Sequence, residues 1–365
     1  MAHQVEALAL GSPSLGTERT LTVHRFGHRG ARPKAYLHAA LHAAELPGIV
    51  VLEHLLSRLE AADKEKRIAG EIVVVPFANP IGLAQQIMME SQGRYDLATG
   101  RNYNRGFPNL TDAVAERVAG ALGDDAQANV ALVRRAMGEA LDALAVAREP
   151  EVLKRELLRL SHDADIVLDL HTAWEALLHL FVTDVNWPEA EDLSRHMRAE
   201  VVLVDRGNAM MTFKSAHALV WKALAERFPE VPLPPGAMAA VVELRGQRDV
   251  DDNLTRPDAD NLYRYLQRRG VILGEPGPLP EALTEPRSTR GLKRLMAPVG
   301  GIVVYHRDLG DHVMADEAFC HVIDPQTRRR TPVVAPQSGL LYARRSHRFA
   351  RAGQYICAIA SDTPL

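Results

Sequence analysis

Short apolar runs that alternate with helical segments constrain the fold of this chain more than any other feature. Strands are predicted at Thr20 to His24, Ala35 to His38 and Glu71 to Phe77, where β-branched residues cluster between charged or Gly/Pro positions. Between the last two strands, apolar residues recur at helical spacing over Ile49 to Leu59. The result is a strand–helix–strand unit, and such units build sheets whose strands run parallel.

Two later runs extend this pattern. Asp165 to His171 (DIVLDLH) and Ala199 to Asp205 (AEVVLVD) are mostly apolar, as in strands buried between two layers of helices. We therefore predict an α/β fold with a mixed, largely parallel sheet flanked by helices. The intervening helices, interpreted as an insertion at about residues 110–162, are predicted at Asp112 to Leu122, Ala126 to Arg148 and Glu149 to Ser161.

The carboxyl-terminal part has a different composition. A stretch rich in Pro and Gly after Gly274 is typical of a linker. A degenerate repeat follows, in which Pro298 matches Pro336, Gly301 matches Gly339, and Cys320 matches Cys357. Each half is too short to bury a core alone, so the repeat indicates a two-fold β barrel of the biotinyl/lipoyl type. We predict a larger domain at residues 1–285 and a small all-β barrel-sandwich domain at residues 286–365.

Composition excludes several classes of protein. The formal net charge of -3 over 365 residues argues against a dedicated nucleic-acid binder. The sequence contains no run of eighteen apolar residues to span a membrane, and its amino terminus lacks the regions of a signal peptide. With only two cysteines, any metal must be bound by histidine and carboxylate groups. We expect a cytoplasmic protein that binds a small molecule, and the sequence is compatible with a homo-oligomer.

Two potential metal ligands lie at the predicted strand-to-helix turn. His42 and Glu45 are three residues apart, so a turn can direct both side chains at one point, as a zinc site requires. His171 offers a third ligand, because it lies at the carboxyl end of a predicted strand, where open α/β sheets bind their ligands. The alternative for each histidine is a hydrogen-bonded core residue.

Two neighbouring residues are interpreted differently. Asp169 lies two residues before His171 on the same strand face, from which its carboxylate can orient an imidazole ligand. His38 lies inside its predicted strand, so we interpret it as a core residue and not as a ligand.

Arginines cluster in and before the loop Gly100 to Asn109 (GRNYNRGFPN). Arg105 is suited to bind a substrate carboxylate, with the adjacent amide of Asn104 sharing the anion. Arg94 and Arg101, further upstream, are candidates for polarising a carbonyl group under attack. The alternative for each arginine is a solvated position in a surface loop.

One acidic residue interrupts the apolar strand predicted at Ala239 to Gly246. Glu243 must be compensated there, because an unpaired buried carboxylate is costly. Beside a metal it is suited to act as a general base. The alternative is an ion pair with Arg245 or another arginine. Trp174, which follows His171 closely, is predicted to line the pocket and to contribute to substrate binding.

Along the chain, these motifs are His42-x-x-Glu45, Asn104-Arg105-x-Phe107-Pro108, Asp169-x-His171 and Glu243. Their order resembles that of the succinylglutamate desuccinylase/aspartoacylase family, whose members are related to the zinc carboxypeptidases. The resemblance covers most of the chain from Thr20 to Ala360. It implies a zinc carboxypeptidase-like hydrolase domain, followed by a small β domain.

The resemblance also implies roles for these residues. His42, Glu45 and His171 would bind one zinc ion per chain, and Glu243 would act as general base and acid. The implied enzyme is a zinc-dependent amidohydrolase, in which a metal-bound water removes an acyl group from a small N-acylated amino acid or a similar carboxylate-bearing amide. Two alternatives stay open: a zinc carboxypeptidase acting on a short peptide, and a non-catalytic protein that binds a metal or ligand.

The motifs of this chain depart from the family pattern at two places. The resemblance implies that Asn104-Arg105 holds a substrate carboxylate, but the family usually has Asp-Leu before this pair, where this chain has Asn102-Tyr103. The family also usually has Gly and Asp after the first ligand histidine, where this chain has Ala43-Ala44. Neither change removes a predicted ligand, but both alter what surrounds the ligands.

Overall fold

The structure, a computed structural model, describes residues 3–12, 14–207 and 210–361. Its strands are β1 (Gln4–Ala9), β2 (Thr20–Phe26), β3 (Lys34–Ala39), β4 (Glu71–Val75), β5 (Gln86–Ile87), β6 (Glu90–Ser91), β7 (Ile166–Ala173), β8 (Glu175–Ala176), β9 (His179–Thr183), β10 (Val201–Asp205), β11 (Met238–Gly246), β12 (Pro286–Ser288), β13 (Leu292–Met296), β14 (Gly301–Tyr305), β15 (His312–Val313), β16 (Ala318–Ile323), β17 (Arg330–Val334), β18 (Gly339–Arg344), β19 (Phe349–Ala350) and β20 (Tyr355–Ser361). Its α-helices are α1 (Pro47–Lys64), α2 (Pro80–Leu83), α3 (Thr111–Val118), α4 (Ala126–Asp142), α5 (Glu149–Ser161), α6 (Trp187–His196), α7 (Phe213–Arg227) and α8 (Asp252–Arg268).

A nine-stranded sheet forms the centre of the main part of the chain, with the order β1-β2-β4-β3-β7-β11-β9-β10-β12. Five of its strand pairings are parallel: β3–β4, β3–β7, β7–β11, β9–β10 and β10–β12. The pairings β1–β2, β2–β4 and β9–β11 are antiparallel. The predicted mixed, largely parallel sheet is therefore confirmed.

Helices bury both faces of this sheet, as the apolar runs predict. Successive side chains of a strand point to opposite faces, so Ile72 and Val74 of β4 join one buried core while Val73 and Val75 join the other. Helices α1, α6 and α8 contribute to the first core, and α3, α4, α5 and α7 to the second. Within the described part of the chain, every helix is too short or too polar to cross a lipid bilayer.

The helices of the predicted insertion form, but two of them end earlier than expected. Helix α3 stops at Val118, and Gly120 then takes a left-handed conformation with φ of 73°. Helix α4 stops at Asp142, and a new helix begins beyond Arg148 with Pro150 in its first turn. Proline is tolerated in a first turn but not inside a continuous helix, so α4 and α5 cannot merge.

Strands β13 to β20 form two further sheets with a two-fold relation. One has the order β13-β20-β18-β15 and the other β17-β16-β14-β19, so exchanging each strand with its counterpart in the other half converts one sheet into the other. Cys320 and Cys357 occupy matching strands, and both are buried and free. Strand β12 lies within the predicted carboxyl-terminal domain at residues 286–365, but it pairs with β10 at the edge of the main sheet. The domain boundary itself stays a prediction.

The carboxyl-terminal sheets contact the main part directly after His171. Strand β8 pairs with β18. The Glu175 carboxylate accepts hydrogen bonds from Arg344 Nε at 2.7 Å and from Arg348 Nη2 at 2.9 and 3.0 Å. Two guanidinium groups therefore hold the segment that follows a predicted metal ligand.

We expect Gly48→Ala to destabilise the protein by about 1–3 kcal/mol, because the new Cβ would overpack the contact of α1 with the sheet. A Cβ at this position would lie 2.9 Å from Ala39 Cβ and 3.2 Å from Leu170 Cβ. Gly123→Ala is the matched control, since a Cβ there would meet no atom within 4 Å. Urea unfolding measures both variants. Equal stability of the two would contradict the tight packing of α1.

Candidate metal centre and active site

The carboxyl edge of the main sheet brings the predicted ligands together. His42 and Glu45 lie in the connection between β3 and α1, and His171 lies near the end of β7, the strand beside β3. Glu243 of β11 is the register partner of His171 on the other side of β7. Because these strands are parallel, their carboxyl ends meet at one edge, which is where such sheets bind ligands.

The side chains of His42, Glu45 and His171 converge on one point. His42 Nδ1 lies 3.1 Å from Glu45 Oε1, and His171 Nδ1 lies 2.7 Å from Glu45 Oε2. One donor atom from each of the three residues lies within 4.8 Å of the others, and all three residues are buried. The Thr172 backbone N–H donates to Glu45 Oε2 at 3.1 Å and so fixes the carboxylate. The three residues can hold a metal ion.

The far side of the His171 ring is held by a carboxylate. His171 Nδ1 lies 2.7 Å from Glu45 Oε2, so both ring nitrogens face carboxylate oxygens, which can only accept; the oxygen behind the ring is Asp169 Oδ1, 2.7 Å from Nε2. The same oxygen lies 2.7 Å from His38 Nε2, and His38 Nδ1 lies 3.0 Å from the Tyr36 hydroxyl. His38 is thus a buried, hydrogen-bonded residue behind the cluster, as predicted.

The charges of the cluster favour a cation at its centre. Burial raises the pKa of Glu45, but His42 and His171 outweigh burial and hold this pKa well below its ordinary value. Burial lowers the pKa of His171, yet the carboxylates of Asp169 and Glu45 raise it well above the ordinary value. A bound divalent cation can replace the proton that these carboxylates attract. Two imidazole nitrogens and a carboxylate oxygen are a donor set that zinc prefers.

Glu243 carries a carboxylate oxygen without a partner. Its Oε2 is buried and has no hydrogen bond among the described residues. Burial raises the pKa of Glu243 to about 7; His171 opposes this rise and Glu45 adds to it. The alternative of an ion pair with Arg245 is wrong, because Arg245 Nη2 instead binds Asp258 at 2.7 Å.

A cavity of about 590 Å³ opens over this cluster. Its lining combines the cluster with cationic groups and includes His42, His171, Glu243, Arg94, Arg105 and Arg294. A volume of this size suits a small molecule. The cationic lining favours an anionic one.

The two arginines proposed to polarise a carbonyl lie in different places. Arg94 lines the cavity, and its Nη1 donates to Glu45 Oε1 at 2.7 Å. Arg101 is exposed and lines a separate, smaller cavity with Asp96 and Lys154. The structure therefore brings Arg94, and not Arg101, to the cluster.

The Asn104 side chain is held by hydrogen bonds within the protein. Its side chain lines the cavity, but its Oδ1 accepts from the Phe213 N–H at 2.8 Å and its Nδ2 donates to Asp169 Oδ2 at 3.2 Å. The amide thus links the start of α7 to the carboxylate behind His171. Its predicted contact with substrate stays a prediction.

Arg105 has its guanidinium at the cavity with little to neutralise it. Its Nη1 donates to the Asn104 carbonyl oxygen at 2.6 Å. Burial lowers the pKa of Arg105, and the nearby charges of Arg94 and Arg294 lower it further. Lys154 of α5 donates to the Arg105 carbonyl oxygen at 2.6 Å, so the predicted insertion supports this loop.

Trp174 contacts the site through an arginine. Its ring lies 5.9 Å from the Arg94 guanidinium carbon and 5.1 Å from that of Arg345. Its ring centroid also lies 5.9 Å from that of Tyr355. Trp174 thus contacts Arg94, which lines the cavity, and its predicted contribution to substrate binding stays a prediction.

Three charged residues of the cavity were not predicted from the sequence. Lys214, at the start of α7, donates to Asp205 Oδ2 at 2.6 Å. Asp205 ends a strand that was predicted, and a polar residue at a strand's carboxyl end was a usable signal. Arg294 lies in β13, and nothing in its surrounding sequence indicated that this region reaches the site.

Comparison with known proteins identifies the family to which the chain belongs. Residues 31–269 match the model of the succinylglutamate desuccinylase/aspartoacylase catalytic domain. A search of curated proteins gave no significant sequence match.

Solved structures share the fold over nearly the whole chain. A provisionally assigned succinylglutamate desuccinylase/aspartoacylase from Shewanella frigidimarina NCIMB 400 has a TM-score of 0.87 at 21% identity, covering 99% of this chain and 97% of that one. A provisionally assigned protein of the same family from Shewanella amazonensis SB2B has a TM-score of 0.85 at 23% identity, covering 98% and 99%. The product-bound ectoine utilization protein EutE (DoeB) from Ruegeria pomeroyi has a TM-score of 0.70 at 16% identity, covering 98% and 94%.

The similarity to these solved structures shows the fold, and the match to the family model shows the family. It spans well over half of the chain and includes the cluster residues His42, Glu45 and His171 as well as Glu243. This chain belongs to the succinylglutamate desuccinylase/aspartoacylase family.

Proposed function

We propose that this protein is a zinc-dependent amidohydrolase that removes the acyl group from a small N-acylated amino acid or a similar carboxylate-bearing amide. One observation carries the proposal: the buried Glu243 Oε2, without a partner among the described residues, shares a cavity with His42 and His171. Burying such a carboxylate costs free energy. A catalytic general base requires a carboxylate at this position, whereas a protein that only binds a metal does not.

His42, Glu45 and His171 would hold the zinc ion, with Nδ1 of each imidazole facing the Glu45 carboxylate. When bound, zinc supplies a Lewis acid that acidifies water and polarises a carbonyl group. Three protein ligands leave room for solvent or substrate, as in catalytic zinc sites.

Glu243 moves the protons in the proposed reaction. Its carboxylate accepts a proton from the water that attacks the amide carbon. The carbon–nitrogen bond then breaks, and Glu243 returns the proton to the leaving amine. The second proton of the water also passes to this amine, so the products are a carboxylate and an ammonium group. Arg94 lines the same cavity and donates to the carbonyl oxygen as negative charge develops on it.

Arg105 is proposed to bind the substrate carboxylate, with Asn104 holding the adjacent backbone in place. The Arg105 guanidinium has five N–H donors in a planar fork that matches a carboxylate. Its only side-chain hydrogen bond that the structure describes goes to a backbone carbonyl oxygen, so most of these donors are available.

Arg94→Ala should lower kcat by about a hundredfold, because one donor to the developing oxyanion is lost. Arg101→Ala, with its side chain in a separate cavity, should leave kcat nearly unchanged. Steady-state kinetics of both variants, with the metal content of each, tests the assignment. The reverse ranking of the two variants would show that Arg101 acts on the substrate.

The proposed substrate class is tested with a panel on the zinc-loaded protein. The panel contains N-acyl amino acids of varied acyl length, dipeptides, and N-acyl amines without a carboxylate. We expect hydrolysis of N-acyl amino acids and at least tenfold lower kcat/KM for their analogues without the carboxylate. Faster cleavage of dipeptides would favour the carboxypeptidase alternative. A zinc-loaded protein that cleaves none of them would favour the non-catalytic one.

A further inference from the structure

The two imidazoles of the metal cluster are held from behind by different groups. His171 Nε2 contacts the carboxylate of Asp169 at 2.7 Å, whereas His42 Nε2 contacts the amide oxygen of Asn102 at 2.8 Å. One partner is therefore charged and the other neutral.

The contacts of Asn102 fix the proton on His42. Asn102 Oδ1 also lies 2.8 Å from the Asn104 backbone N–H, which can only donate. The atom that faces both groups must therefore be the amide oxygen and not its nitrogen. His42 Nε2 must then donate to it, which leaves Nδ1, 3.1 Å from Glu45 Oε1, as the nitrogen that can bind a metal.

The same oxygen connects the metal cluster to the substrate-binding loop. Asn102 Oδ1 receives one hydrogen bond from His42 and one from the backbone of Asn104, the residue before Arg105. A change in the orientation of His42 would therefore change the hydrogen bonding of the loop that carries Arg105. A neutral amide achieves this without adding a negative charge beside the cationic lining of the cavity.

We propose that Asn102 is a positioning residue that holds His42 as the Nε2–H tautomer for metal binding. Its neutral amide does so at the expense of zinc affinity, because a carboxylate partner makes an imidazole a stronger ligand than an amide does. This inference rests on the proposed zinc site. It concerns how tightly the site binds zinc and not which reaction follows.

The test is a zinc titration of the full chain against a competing chelator, for wild type and three variants. Asn102→Leu removes the acceptor and should weaken zinc binding about 10- to 100-fold. Asn102→Asp should restore binding and tighten it about tenfold beyond wild type. Asn109→Asp is the matched control, because Asn109 is exposed in the same loop and its Oδ1 accepts from the Thr111 N–H. The zinc affinity of this variant should match that of wild type.

Two results would overturn the inference while leaving the proposed function intact. One is unchanged zinc affinity in Asn102→Leu, and the other is equal weakening by Asn102→Leu and Asn102→Asp, which would indicate a merely structural role. Thermal melting of the metal-free variants identifies any that fail to fold. A wild-type protein that binds no zinc would instead overturn the proposed function, and this inference with it.

Discussion

Replacing Glu243 with glutamine is expected to lower kcat by about a thousandfold while one zinc ion per chain is retained. The glutamine side chain has nearly the same volume, but its amide can neither accept the proton of the attacking water nor return it to the leaving amine. Because Glu243 is not among the three converging donors, the metal should stay bound. Single-turnover kinetics and metal analysis of the same sample measure both quantities.

A matched control separates this effect from a general change of charge. Glu230 is exposed and is not among the residues that line the cavity, so Glu230→Gln should keep wild-type kcat. If Glu243→Gln retained more than a tenth of wild-type kcat, another group would have to be the base. Loss of zinc from this variant would instead make Glu243 a ligand.

His171→Ala is expected to weaken zinc binding by more than about a hundredfold and to abolish activity at ordinary zinc concentrations. Loss of an outer partner of a metal ligand costs roughly 10- to 100-fold, so loss of the ligand itself costs more. The substitution also leaves Glu45 Oε2 without the imidazole that lies 2.7 Å away. Equilibrium dialysis against zinc measures the affinity.

His54→Ala is the control for loss of an imidazole. His54 lies on α1 and pairs with the exposed Asp252 at 3.0 Å, so its removal should change neither zinc content nor activity. If His171→Ala kept both stoichiometric zinc and activity, the cluster would be misassigned as the metal centre.

Local sequence patterns predicted the sheet and the convergence of the three candidate metal ligands. A carboxyl strand end is readable from a single apolar run, and parallel strands bring such ends to one edge. His171 could therefore be placed at this edge before the pairing of its strand was known. His42 and Glu45 followed from one turn.

Long-range contacts could not be predicted in the same way. Arg94 and Arg101 are both arginines near one loop, and only the folded chain shows that Arg94 reaches Glu45 while Arg101 points elsewhere. Arg294 reaches the cavity because the carboxyl-terminal sheets pack on the segment that contains Glu175, a contact with no local signature.

The anomalous diffraction of zinc in crystals of the metal-loaded protein tests the central claim most directly. We predict one peak per chain, within coordination distance of His42 Nδ1, His171 Nδ1 and the Glu45 carboxylate. A zinc peak bound by other residues, or full catalytic activity in crystals with no peak between these three side chains, would contradict it.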